Sequence, residues 1–75
     1  MKPYYKLRGK LTEQDKQIKD FEKLLNRSNF YITQIMTGKK GKYFREDEIY
    51  KIIDYIGESV KDMGKYFNEE QRKGI

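Results

Sequence analysis

The fold class predicted by the sequence is all-α: a single small domain of about five helices. Three observations predict it. Apolar residues recur three or four positions apart almost throughout, as one buried helix face requires. No stretch alternates apolar and polar as a half-buried strand would. The residues that stop helices, Asn26, Gly38 and Gly57, fall at the ends of those apolar stripes.

Leu7 and Leu11 lie four apart on a first helix that starts after Pro3, a residue suited to a first helical turn. Gly9 inside it either costs about 1 kcal/mol against Ala or marks a close approach of two helices. The polar run Thr12 to Gln17 reads as the connection. Ile18, Phe21, Leu24 and Leu25 form a second stripe that ends at Asn26-Arg27, where Asn tolerates the left-handed conformation of a sharp stop. Ser28 has the chemistry of an N-cap. A third helix follows with Ile32 and Ile35 inward, and it stops at Gly38. Two short helices separated by about three residues have helix-turn-helix spacing. Gly38 to Lys42 is a flexible basic loop, after which Phe44 anchors the chain again. Ile49, Ile52, Ile53 and Ile56 make the most regular stripe, opened by Glu46, Asp47 and Glu48, acids that complement a helix dipole. Gly57 ends it, and Val60, Met63 and Phe67 support a short fifth helix interrupted by Gly64. Residues 1–67 are expected to form the domain, with 68–75 a flexible tail.

Composition narrows the function. With 36% hydrophobic and 39% charged residues, each apolar face is narrow and the core of a 75-residue chain is modest, worth roughly 3–5 kcal/mol net. Cysteine and histidine are both absent, which removes thiolates, the commonest metal ligand and the commonest general base. No enzyme, metal site or cofactor is expected: the adjacent Asp47 and Glu48 are explained by dipole complementarity. No apolar run approaches the roughly 20 residues of a membrane span, and the N-terminus lacks a signal peptide's apolar core. A cysteine-free chain fits a cytoplasmic location. The net charge is +5 and is unevenly placed. Residues 1–45 hold twelve Lys/Arg against four Asp/Glu, a net of +8; residues 46–75 hold five against eight, a net of −3. That asymmetry points to an anionic partner for the first half, or else to a lysine-rich genome bias.

The run from Phe21-Glu22-Lys23-Leu24-Leu25-Asn26-Arg27-Ser28 through Ile32-Thr33-Gln34-Ile35-Met36-Thr37-Gly38 resembles, without a gap, the helix-turn-helix core of Cro/repressor-like (XRE-type) proteins. The opening Tyr5 to Leu11, with Ile56-Gly57 and Gly64-Lys65-Tyr66-Phe67, is similar to the two ends of a subgroup of small phage regulators. The resemblance spans about residues 4–67. It implies a lambda-repressor-like fold and a sequence-specific, duplex-DNA-binding transcriptional regulator of phage or mobile-element type. There are departures. Glu22 stands where a small Ala is usual, Asn26 replaces Gly, and Arg27 replaces an apolar turn residue. Ile18 takes the place of a phosphate-touching Gln, for which Gln17 is the nearest substitute.

Projecting the third helix at about 100° per residue puts Ile32 and Ile35 on one face. Phe30, Thr33, Gln34 and Thr37 fall on the other, with Asn29 at its N-terminal edge. Asn29, Phe30, Thr33 and Gln34 are the candidate base readers. Gln34 and Asn29 suit adenine N6 and N7, and Phe30 and the Thr33 methyl suit thymine methyls, so the expected operator contains A/T pairs. An outward Phe30 needs a cover: a thymine, a protein partner, or collapse onto Tyr31 or Tyr43. Lys39, Lys40, Lys42 and Arg45, together with Arg27 and Ser28 at the turn and Gln17, are the candidate phosphate contacts. The seven tyrosines suit single-strand stacking, but Tyr50 and Tyr55 flank the isoleucine stripe, where core-edge packing explains them. Tyr50, Tyr55, Met63, Tyr66 and Phe67 form the surface expected for weak pairing of two copies on a two-fold site. The competing expectation is the same fold reused as an inhibitor or adaptor that binds a host protein.

Overall fold

The computed structural model describes residues 4–67. These comprise α1 (Tyr5–Glu13), α2 (Phe21–Leu25), α3 (Asn29–Met36), α4 (Glu46–Tyr55) and α5 (Met63–Tyr66). Single 3₁₀ turns, Ile18–Asp20 and Val60–Asp62, lead into α2 and α5. No strand occurs among the described residues, so the domain is all-helical. Helix α1 starts at Tyr5, after Pro3 as expected; Pro3 itself and the tail from Asn68 lie outside the described residues.

Local chemistry sets the boundaries. Asn26 closes α2 in the left-handed conformation (φ 54°, ψ 50°), which Asn enters more readily than other side chains because its short amide can bond locally. Ser28 Oγ then accepts the Tyr31 N–H at 3.2 Å, satisfying an orphan donor of α3. Gly38, at φ 78°, turns the chain out of α3. Helix α1 runs two residues into the polar segment read as a connection, ending at Glu13. Gly9 is an ordinary helical residue there, and a Cβ on it would meet nothing within 4 Å. The close-approach explanation for Gly9 therefore does not hold.

The inward face of every helix meets in one core. Leu7 and Leu11 of α1, Phe21 and Leu25 of α2, and Ile32, Ile35 and Met36 of α3 are buried there. Ile49, Ile52 and Ile53 of α4 join them, with Ile56 just beyond that helix. Phe44, fully buried, is the anchor its position suggested: its ring meets Tyr4 at 5.8 Å, Phe67 at 6.1 Å and Phe21 at 6.2 Å, all edge-on. Edge-to-face pairs match ring edge to ring face electrostatically and add about 0.5–1.5 kcal/mol each to area burial.

Two expectations about the last segment need correction. Val60 is 55% exposed and lies in the 3₁₀ turn Val60–Asp62 ahead of α5, so it does not share the burial of Phe67. The surface expected for self-pairing is largely spent inside the fold. Phe67 is fully buried, and Tyr55, Met63 and Tyr66 are half-buried against the core. Of that set only Tyr50, 41% exposed and bonded through its hydroxyl to Glu46, remains on the surface.

Much of the positive charge serves the fold. The Arg8 guanidinium donates to the Met36 carbonyl at 2.6 Å, capping the C-terminal end of α3. Lys16 Nζ and Gln14 Nε2 donate to the Tyr55 and Ile56 carbonyls at 2.5 and 2.7 Å, capping α4. Cations at these ends also meet the negative pole of the helix dipole. Lys16 lies over the Tyr55 ring as well, 4.3 Å from its centroid. Lys10 pairs with Glu58 at 3.0 Å.

Candidate nucleic-acid interface

Helix α3 places its two faces as the projection required. Ile32, Ile35 and Met36 are buried, while Asn29, Phe30, Thr33 and Thr37 are exposed and Gln34 is half-buried. Phe30 is 70% exposed, the highest value among the large hydrophobic side chains of the described residues. Its collapse onto Tyr31 does not occur, because Tyr31 is held elsewhere: its hydroxyl donates to Glu48 Oε1 at 2.9 Å and its ring carries Arg27 at 4.7 Å.

The four candidate base readers are not equivalent. Asn29 is engaged at both ends of its amide, donating from Nδ2 to Glu22 Oε2 and accepting at Oδ1 from the Thr33 hydroxyl, each at 3.3 Å. Glu22 thus reaches across the turn and ties α2 to α3. Thr33 spends its hydroxyl donor on Asn29 and keeps its methyl. Gln34 makes no side-chain hydrogen bond among the described residues. The face therefore presents one aromatic ring, one methyl and one free amide, all within a turn and a half of helix.

The phosphate candidates divide similarly. Lys39, Lys40 and Lys42 are exposed, and no carboxylate among the described residues pairs with them. Gly38 (φ 78°) and Gly41 (φ 81°) shape the loop that carries them. The Lys39 N–H donates to the Gln34 carbonyl at 3.1 Å, so this basic loop begins directly at the end of the outward face of α3. Arg45 is exposed and lies 3.9 Å from Asp47. Gln17 is exposed at the start of the turn into α2, with its backbone N–H given to Asp20 at 2.9 Å. Ser28 uses its oxygen as the N-cap of α3.

Arg27 belongs to a cluster that sequence reasoning did not find. The Glu48 carboxylate, 2% exposed, accepts from Arg27 Nε on one oxygen. Its other oxygen takes the Tyr31 hydroxyl and the Arg45 N–H, and all three distances are 2.9 Å. The hydrogen bond to Glu48 holds the Arg27 guanidinium above its ordinary pKa. Burial first, and then the same carboxylate, raises that of the Tyr31 phenol. A carboxylate this buried is tolerable only when such partners satisfy it. It locks the turn between α2 and α3 and the first turn of α3 to the start of α4. The available signal was a Glu three residues after the N-cap of α4, where it can reach back to the N-cap backbone.

Among the described residues no cluster of acids could hold a metal ion, and no helix is long and apolar enough to cross a membrane. The chain matches no protein-family model, no curated protein and no solved structure.

Proposed function

We propose that this domain is a sequence-specific, duplex-DNA-binding regulator of the phage or mobile-element kind. In this reading α3 lies in the major groove and the Lys39–Lys42 loop lies along the phosphates. One observation carries it: an outward face of Phe30, Thr33 and Gln34 that runs without interruption into three unpaired lysines. A recognition helix needs a few outward side chains at base edges and flanking cations on the backbone. Phe30, Thr33 and Gln34 read bases. Lys39, Lys40 and Lys42 neutralise phosphates, with Arg45, Gln17 and the Arg27–Ser28 turn at the edges of the footprint. Asn29 bonds Thr33 and Glu22 through its amide and holds Thr33 in place beside the other readers.

The test is binding to a random duplex pool across a salt series. Enrichment of an A/T-containing half-site, bound more weakly by Gln34→Ala, supports the reading. Replacing all three lysines by Gln should reduce the log–log salt slope by about 2.7, at about 0.9 per phosphate contact. Binding without enrichment leaves electrostatic attraction alone. Absence of binding at low salt overturns the reading and favours the second one, a protein partner seated on Phe30. The observation behind that alternative is the 70% exposure of an aromatic ring on a face with a single free amide.

A further inference from the structure

We infer that the outward face of α3 reads the C5-methyl group of pyrimidines, accepting 5-methylcytosine where it takes thymine and rejecting cytosine and uracil; this rests on the duplex-DNA reading above. The argument begins with what the face offers. Two of the four residues suited to base contact carry amides, and one of those, Asn29, already bonds Glu22 through one N–H and Thr33 through its oxygen. Thr33 has turned its hydroxyl donor to Asn29, which leaves its methyl and an acceptor oxygen for a ligand. Phe30, three residues earlier and therefore on the same side of the helix, is 70% exposed with no ring contact among the described residues. Apolar contact thus outweighs hydrogen bonding on this face.

Duplex DNA presents one apolar group in its major groove, the methyl at C5 of thymine. Cytosine has hydrogen at that position and 5-methylcytosine has the same methyl, projecting from the same ring atom. The remaining reader, the Gln34 amide, can donate to N7, an acceptor present on both adenine and guanine. A purine contact of that kind does not separate a T·A pair from a 5-methylcytosine·G pair. Discrimination then falls to the methyl, which Phe30 and Thr33 cover. The three exposed lysines that follow place this apolar spot beside a cationic strip suited to a polyanion, which favours a DNA occupant over an apolar protein surface.

The experiment needs no prior operator. Wild-type protein is titrated with random duplex pools made with thymine or with uracil throughout. The site selected from the thymine pool is then synthesised with thymine, uracil, cytosine or 5-methylcytosine at each pyrimidine in turn. One buried methyl corresponds to about a fourfold change in Kd, and two to about fifteenfold. The expected result is a preference of that size for thymine over uracil, and for 5-methylcytosine over cytosine at the same position. Both preferences should disappear in Phe30→Ala, whereas Gln34→Ala should weaken all four duplexes alike. Equal affinity of wild type for the thymine and uracil pools overturns the inference and leaves duplex binding standing. A methyl preference that persists in Phe30→Ala does the same. Failure to bind either pool at low salt overturns both the inference and the DNA reading beneath it.

Discussion

Replacing Glu48 tests whether the buried carboxylate holds the helix-turn-helix together. In Glu48→Ala the Tyr31 hydroxyl and the Arg45 N–H both lose an ionised acceptor 2.9 Å away, in a place where water replaces it poorly. Hydrogen bonds to charged groups contribute about 1.5–3 kcal/mol each, and partial solvent access lowers the sum, so the expected loss is about 3 kcal/mol. Arg27, with its side chain 39% exposed, recovers water and adds little. Glu48→Gln separates the two sides of the cluster. Its carbonyl oxygen can keep both bonds now made by Oε1, while its NH₂ faces the Arg27 Nε–H, donor against donor. The expected loss is about 1 kcal/mol, from a total that rarely exceeds 5 in a chain this size. Urea denaturation followed by far-ultraviolet circular dichroism measures both, with the midpoint shifting at constant slope. Equal losses for the two variants, or a loss under 1 kcal/mol for Glu48→Ala, would refute the assignment of the stability to the Tyr31 and Arg45 bonds.

Three further outcomes are expected. Gly9→Ala should raise stability by about 0.8–1 kcal/mol in the same assay, since Gly9 is helical and the new methyl meets no atom within 4 Å. Asn26→Gly should stabilise slightly and Asn26→Val should destabilise by about 1–2 kcal/mol, because position 26 is left-handed at φ 54°. Acid should weaken the fold through Asp20 and Glu58. The Gln17 N–H and then the Tyr55 hydroxyl lower the Asp20 pKa, and the Tyr66 hydroxyl and then Lys10 lower that of Glu58. Folding depresses both groups, so their contribution is complete above their ordinary values of 3.8 and 4.5 and is lost as pH falls through the lower folded ones. Urea midpoints between pH 6 and about 2.5 should fall less steeply in Tyr55→Phe/Tyr66→Phe than in wild type; identical profiles would contradict this.

What the sequence determined by itself was everything governed by neighbours within a helical turn. The spacing of Ile32 and Ile35 assigned the two faces of α3, Ser28 marked its start, and Asn26 and Gly38 marked the ends of α2 and α3. The isoleucine stripe from Ile49 to Ile56 became the inner face of α4. The candidate site was legible to the same depth: the exposure of Phe30 and Thr33 follows from phase alone. Tertiary structure decided which polar groups remain free for a ligand. Glu48 reads as one of three dipole-complementing acids until folding brings Arg27 and Tyr31 to it from 21 and 17 residues away. Asn29 reads as a lone surface amide until Glu22, across the turn, takes one of its two N–H donors. Arg8 and Lys16 belong to a basic surplus, and Gln14 to a polar connection, until α3 and α4 end against them, 28 to 42 residues along the chain. The physical reason is one of range. Helix phase and capping act through bonds within four residues and are written in local order, whereas a charged or amide group takes whichever partner the packed core delivers to it.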